Sequence, residues 1–149
     1  MIIIVAADHF GYEAKQVVMT WLRDHGQEFL ELGSTSESDE QSIADFIPKV
    51  AAAVLEDDSN RGIMICGTGV GVDIGANRFR GIRSVLASCP KVAKWSRIYD
   101  NSNVLCLSGW DFDGGNVEQI LTTWFDTPFE DVDGSKTKFL SAMYEWNSG

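Results

Sequence analysis

The sequence predicts an α/β fold in which helices cover both faces of a five-stranded parallel sheet. Short apolar runs alternate with longer stretches of helical periodicity, which is the pattern of βαβ units. The first run, residues 2–6, is continuous and rich in β-branched residues, as a strand buried on both faces requires. Since 149 residues are the length of one domain, we expect a single domain over 1–149.

The helices and strands follow one another along the chain. Helical spacing of apolar residues predicts a first helix over 11–25, and 29–32 forms the second strand. Asp45 is expected to cap a helix that ends near residue 57, with Pro48 as its third residue, where no N–H is needed. The remaining predicted elements are a strand at 62–66, a helix to about 78, a strand at 82–87, a helix at 90–99, a strand at 104–107 and helices at 117–125 and 133–146.

The charge of the chain argues against two classes of partner. Lys and Arg number 12 and Asp and Glu 22, which gives a net charge of -10. Such a surface repels phosphodiester backbones and anionic membranes, so we expect no nucleic acid and no membrane partner. The apolar runs at 1–7 and 51–55 are far shorter than the ~20 residues of a membrane span, and the amino terminus does not resemble a signal peptide.

The cysteines and histidines indicate a reducing compartment and no metal. Cys66, Cys89 and Cys106 are an odd number, widely spaced and without a C-x-x-C motif, so we expect no disulfide framework and a cytoplasmic protein. With only His9 and His25 as imidazoles, a metal site has poor ligands, and we expect no metal or cofactor. Cys89 and Cys106 are interpreted as structural.

Three polar clusters flank the predicted strands: residues 8–9 after the first, 66–71 after the third and 99–103 before the fifth. Ligands of parallel sheets bind at the carboxyl ends of the strands. We expect all three clusters at that edge.

The segment 66–71, Cys-Gly-Thr-Gly-Val-Gly, is the most informative of them. Alternating glycines allow a tight turn that presents N–H groups to an anion before a helix N-terminus, although the Lys of a Walker motif is missing. A thiol at this position is suited to form a thiolate. The alternative is that Cys66 is a small, buried apolar residue, as most free cysteines are.

Asp8 and His9 also have two interpretations. A carboxylate beside an imidazole suits proton transfer or the binding of a substrate hydroxyl. Alternatively, Asp8 caps the first helix and His9 is incidental.

Together these segments resemble the type B ribose-5-phosphate isomerases and the related galactose-6-phosphate isomerase subunits. The matches are Ala-Asp-His-Phe-Gly-Tyr at 7–12 with Lys15 beyond, Ile-Cys-Gly-Thr-Gly-Val-Gly at 65–71, Gly-Ala-Asn-Arg at 75–78, Gly-Ile-Arg at 81–83 and Asn-Val-Leu at 103–105. The resemblance implies a Rossmann-like α/β/α sandwich and a homodimer with shared active sites. It also implies metal-independent aldose–ketose isomerisation of a pentose or hexose through a cis-enediolate.

The resemblance also implies roles for single residues. Cys66 would move the proton between C1 and C2, Asp8 would bind sugar hydroxyls and assist proton transfer, and His9 would contact the substrate near its phosphate. Thr68 would assist at the ring oxygen. The enediolate oxygen would be bound by backbone amides, those of Gly67, Gly69, Val70 and Gly71. Another branch of the family uses a glutamate base at the position of Val72.

The chain departs from the family at the ring-opening histidine and at the phosphate-binding arginines. Tyr99 stands at the histidine position, followed by Asp100 and Asn101, which would line the substrate. A phenol can donate a proton but is a poor base at neutral pH. Trp110, Asp131 and Asp133 lie where relatives carry arginines, and a weaker set of donors remains: His9, Arg97, Lys136 and Lys138.

These departures leave three hypotheses. The chain is an active isomerase on a sugar phosphate, a relative with a changed and non-phosphorylated sugar, or a sugar-binding or partner subunit without activity of its own. The last helix, about 133–147, has an apolar side with little to cover in a monomer. We therefore expect a homodimer or homotetramer with this helix at the interface.

Overall fold

A computed structural model describes residues 1–146 of the chain. Its centre is one sheet of five parallel strands in the order β2-β1-β3-β5-β4. The strands are β1 Ile3–Ala7, β2 Phe29–Gly33, β3 Arg61–Cys66, β4 Ser84–Leu86 and β5 Val104–Ser108. A 3-10 turn, His9–Gly11, precedes the helices, which are α1 Tyr12–Asp24, α2 Ile43–Leu55, α3 Val70–Ala76, α4 Pro90–Asp100, α5 Gly114–Asp126 and α6 Ser135–Tyr144. The predicted α/β/α sandwich is confirmed.

The strands supply two separate cores because successive side chains point to opposite faces of the sheet. Ile3, Val5 and Ile63 pack with apolar residues of α1, α4 and α5 on one face. Ile4 and Met64 pack with α2 and α3 on the other. β1 is therefore buried on both sides, as its continuous apolar run predicts.

Two helices begin earlier than predicted. Ser42, not Asp45, caps α2, since its side chain accepts a hydrogen bond from the Ala44 amide. The Asp45 carboxylate accepts a hydrogen bond from the Ser42 amide, so that the two residues form a capping box. Pro48 is consequently the sixth residue of the helix, where its missing N–H removes one hydrogen bond of the helix. Asp113 caps α5 through the amide of Asn116, so that this helix starts at Gly114.

The segment 99–103 does not lie at the carboxyl edge of the sheet, and that prediction was wrong. In a parallel sheet, the residues before a strand lie at the amino edge. Asn103 accepts a hydrogen bond from the amide of Gly62, at the start of β3, over 2.9 Å. Cys66, at the carboxyl end of β3, is four residues beyond Gly62, which is about 13 Å along the strand at ~3.3 Å per residue.

The last helix, α6, is shorter than expected. It covers Ser135–Tyr144, and only Leu140 among its residues is buried. Phe139 on this helix and Trp146 beyond it are exposed. The predicted end at residue 147 lies outside the described residues. In the part of the chain that is described, none of the helices has the length and apolar character needed to cross a bilayer.

Candidate active site

Asp8 lies at the carboxyl end of β1, where it combines capping with a position in the site. Its Oδ1 accepts a hydrogen bond from the Gly11 amide at 3.0 Å, which fixes the turn leading into α1. The residue is buried. Burial raises the pKa of its carboxyl group, against the opposing effects of the Gly11 hydrogen bond and the neighbouring His9. Both interpretations of Asp8 are therefore compatible with its geometry.

Cys66 ends β3 at the same level of the sheet as Asp8. The parallel register pairs Ala7 with Ile65, and each reactive residue comes one position later. The thiol is buried, and its Sγ accepts a hydrogen bond from the amide of Gly69 over 3.2 Å. A backbone N–H directed at sulfur is the arrangement that suits a thiolate. The fold thus places a thiol and a carboxyl group side by side.

Two backbone amides of the glycine loop after Cys66 donate hydrogen bonds to acceptors at Cys66 and within the loop itself. Gly69 adopts a left-handed conformation, with φ +77°, at the start of α3, and its amide is directed at Cys66. The amide of Val70 donates to Thr68 Oγ1 at 3.1 Å. Gly71, the second residue of α3, has an amide that helix geometry leaves without an intrahelical acceptor. Of the four predicted amides, those of Gly69 and Val70 thus already have acceptors within the loop.

The loop after β5 is fastened to the glycine loop by hydrogen bonds. Gly67 O accepts from the Trp110 amide at 2.9 Å and from Ser108 Oγ at 2.8 Å, and Cys66 O accepts from the Gly109 amide at 2.8 Å. These bonds hold Trp110 against Gly67, the residue that follows Cys66.

Aromatic rings form one rim of the site. The His9 and Phe10 ring centroids are 4.0 Å apart, and Phe10 meets Trp110 edge-on at 5.3 Å. Among the described residues, Nδ1 of His9 is buried without a hydrogen-bond partner. The sequence pattern does not predict the pairing of Phe10 with Trp110. The strand order β1-β3-β5 would have revealed it, because both rings follow strands that neighbour β3.

Lys15, which belongs to the first motif, is a structural residue. It is fully buried, and its Nζ donates to Ser34 O at 2.5 Å and forms an ion pair with Glu31 Oε1 at 2.8 Å. It fixes the segment after β2 rather than facing the thiol.

Four predicted site residues form a second group at the amino edge: Tyr99, expected to be catalytic, and Asp100, Asn101 and Lys136, expected to bind the substrate. Lys136 Nζ lies 4.9 Å from the Tyr99 ring centroid and donates to the carbonyls of Ile98 at 2.9 Å and Glu130 at 2.6 Å. Partial burial raises the pKa of Asp100, against the charge of Lys136. Within one chain, this group does not meet Cys66.

Arg97, which the sequence offers as a phosphate ligand, is engaged by the protein itself. Its guanidinium donates to Ser102 O at 2.5 Å, Asn101 Oδ1 at 3.0 Å and Thr127 O at 3.2 Å. Burial lowers its pKa to about 10, so the group remains charged at neutral pH. These bonds shape the 101–103 segment and leave Arg97 poorly placed to bind a phosphate.

The described residues contain no group of three or more His, Cys, Asp or Glu side chains arranged to hold a metal ion.

Comparison with known proteins places the chain in a family. The family described as Ribose/Galactose Isomerase matches residues 3–141. Ribose-5-phosphate isomerase B of Escherichia coli is 34% identical over 128 residues, which cover 86% of this chain and 85% of that protein. Ribose-5-P isomerase B of Listeria innocua is 33% identical over 129 residues, 87% of this chain and 86% of that protein.

Solved structures agree with the sequence comparison. A ribose 5-phosphate isomerase of Thermotoga maritima is 33% identical, with a TM-score of 0.90 and 97% of each chain covered. Ribose-5-phosphate isomerase B of Mycoplasma genitalium, solved with bound ribulose-5-phosphate, is 30% identical with a TM-score of 0.89, covering 96% of this chain and 93% of that chain. The chain belongs to the ribose/galactose isomerase family, whose members are aldose–ketose isomerases.

Proposed function

We propose that this isomerase interconverts ribose 5-phosphate and ribulose 5-phosphate through a cis-enediolate, with Cys66 as the base. The observation that carries the proposal is the buried thiol at the end of β3, level with Asp8 and hydrogen-bonded to the Gly69 amide. The relatives support the substrate, since one is solved with ribulose-5-phosphate. They do not favour a subunit without activity.

The proton transfers follow from the positions of these groups. The Cys66 thiolate takes the proton from C2 of the open-chain aldose, and the C–H electrons form the C1=C2 bond while the carbonyl electrons move to O1. Asp8, whose raised pKa eases proton exchange, moves a proton from O2 to O1. The Cys66 thiol then returns its proton to C1, which leaves a carbonyl at C2 and regenerates the thiolate.

Backbone and hydroxyl donors stabilise the charge that develops. The amides of Gly67 and Gly71 bind the enediolate oxygen, a role that fixed dipoles fill without reorganisation. Thr68 Oγ1 accepts from Val70, so its hydroxyl hydrogen remains to donate to the ring oxygen. His9, on the rim, contacts the substrate near its distal end.

The second group completes the site from another copy of the chain. The length of β3 separates Cys66 from these four residues, Tyr99, Asp100, Asn101 and Lys136, which is too far for them to meet the same sugar within one subunit. A homodimer with α6 at its interface brings the partner's copy of this group over the carboxyl edge. Tyr99 then donates a proton for ring opening, and the ammonium hydrogen of Lys136 that is not bound to a carbonyl faces the phosphate.

The cysteines support a cytoplasmic location. All three are free thiols, two of them buried, as a reducing compartment favours. The net charge of -10 supports a small-molecule substrate rather than nucleic acid or a membrane surface.

The base is tested by the exchange of the C2 proton of ribose 5-phosphate with deuterated solvent, followed by NMR. Cys66→Ala should abolish both exchange and turnover while binding and folding are kept. Cys89→Ala is the matched control, because this half-buried thiol precedes α4 and takes no part in the mechanism. A Cys66→Ala enzyme with a tenth or more of the wild-type turnover would refute the assignment.

A further inference from the structure

We propose that Phe10 and Trp110 form an aromatic platform on which the C–H face of the sugar lies during the reaction, a proposal that rests on the proposed isomerase function. The two rings sit on the loops that follow β1 and β5, the strands on either side of β3. Their ring centroids are 5.3 Å apart, so they form one continuous aromatic surface next to the glycine loop that follows Cys66.

The platform is held in place by close packing. A Cβ added to Gly67 would lie 2.5 Å from Cε2 of Trp110, so the indole rests directly on the residue after Cys66. A Cβ added to Gly109 would lie 2.2 Å from the Phe10 carbonyl oxygen, so the two loops touch through their backbones. The absence of side chains at both glycines lets the indole pack on the glycine loop and lets the two loops pack together.

Both rings are open to solvent. Phe10 is 50% exposed and Trp110 is 65% exposed, although each contacts another ring. When a ligand covers a large aromatic side chain and removes it from water, the free energy of the complex is lowered. A sugar that reaches Cys66 would cover this surface.

The chemistry of the rings selects the sugar carbons rather than the phosphate. An aromatic face carries partial negative charge, which attracts polarised C–H groups and does not attract a dianion. The ring contacts of Phe10 and Trp110 are with each other and with His9. The platform thus orients the carbon skeleton beside the thiol, while a phosphate needs donors from elsewhere.

Two substitutions at each position separate aromatic stacking from simple bulk. Trp110→Leu and Phe10→Leu keep an apolar side chain without a ring, whereas Trp110→Phe and Phe10→Tyr keep a ring. Trp95→Leu is the control, since Trp95 is a half-exposed indole on α4 that is outside the site. The measurements are KM and kcat for ribose 5-phosphate, calorimetric binding of a hydroxamate mimic of the enediolate, and mass by light scattering.

We expect Trp110→Leu to raise both KM and the Kd of the mimic about tenfold, and a tenfold loss of affinity corresponds to about 1.4 kcal/mol. The decrease in kcat should be smaller than the increase in KM. Trp110→Phe should restore most of the loss, and Trp95→Leu should match the wild type. Equal affinity for the mimic in Trp110→Leu and Trp110→Phe would overturn the platform. So would loss of the oligomer in Trp110→Leu but not in Trp110→Phe, because the indole would then pack against a second copy of the chain rather than against the sugar.

The proposed function and the platform fail in different ways. If the wild-type enzyme does not turn over ribose 5-phosphate, the proposed substrate is wrong. The platform is then decided by binding of the phosphorylated and unphosphorylated mimics. Loss of affinity for both in Trp110→Leu supports it, and unchanged affinity for both refutes it.

Discussion

Asp8 is both a cap and a titrating group, and its two roles respond differently to substitution. The Gly11 amide needs an oxygen acceptor at this position, which an amide side chain also provides. The negative charge, in contrast, is disfavoured by burial, which raises the pKa of the carboxyl group above the ordinary 3.8. The contribution of Asp8 to stability is therefore greatest below pH 3.8 and is lost as the pH rises through the pKa of the folded state.

Asp8→Asn should therefore raise the melting temperature at about pH 7 and leave it unchanged at about pH 3, where the wild-type residue is protonated in both states. The same variant should lower kcat about a hundredfold, because the proton carrier between O1 and O2 is lost. Thermal unfolding at both pH values and steady-state kinetics measure the two effects. Asp45→Asn, in the α2 capping box, controls for the loss of one negative charge at a cap. If Asp8→Asn melts at a lower temperature than the wild type at pH 7, the conclusion that the buried negative charge of Asp8 destabilises the folded state is wrong.

The start of α3 determines where the thiol and its amide donor lie. Gly69 has a positive φ, and a Cβ there would lie 2.6 Å from Leu86 Cδ1 and 2.9 Å from the Leu107 carbonyl carbon. Only glycine satisfies both constraints, so the loop is fixed by β4 and β5 packing beneath it.

Gly69→Ala should destabilise the protein by more than the ~1–2 kcal/mol that a left-handed alanine costs alone, and it should reduce turnover because the amide moves away from Cys66. Gly26→Ala is the matched control, since Gly26 has φ +65° but no atom within 4 Å of an added Cβ. Urea unfolding of both variants measures the difference. Equal destabilisation in the two variants would show that packing around Gly69 adds nothing.

The sequence predicts elements better than it predicts their edges. Apolar runs and helical periodicity are local patterns, so the succession of the five strands and the main helices along the chain could be predicted. The start of α2 could not, because Ser42 and Asp45 are both good caps and a reciprocal box decides between them. The aromatic rim depends on the spatial order β1-β3-β5, which no local pattern contains.

At the scale of the whole molecule, the sheet separates two groups that the family motif brings together in sequence. Cys66 and Asp8 lie at the carboxyl edge, whereas Tyr99, on α4, and Lys136, on α6, lie together at the amino edge. The family resemblance places both groups in one site, whereas the fold of a single chain holds them apart. In the site that we propose, Cys66 comes from one copy and the second group from another.

Mixing two inactive variants tests this claim most directly. Cys66→Ala lacks the base, and Tyr99→Phe lacks the ring-opening donor. After the two are unfolded together and refolded at equal amounts, about half of the dimers are mixed, and each mixed dimer has one intact site of two. We expect isomerisation of ribose 5-phosphate to return to about one quarter of the wild-type rate, well above either variant alone. A mixture no more active than the mean of the separate variants would contradict a site shared between copies.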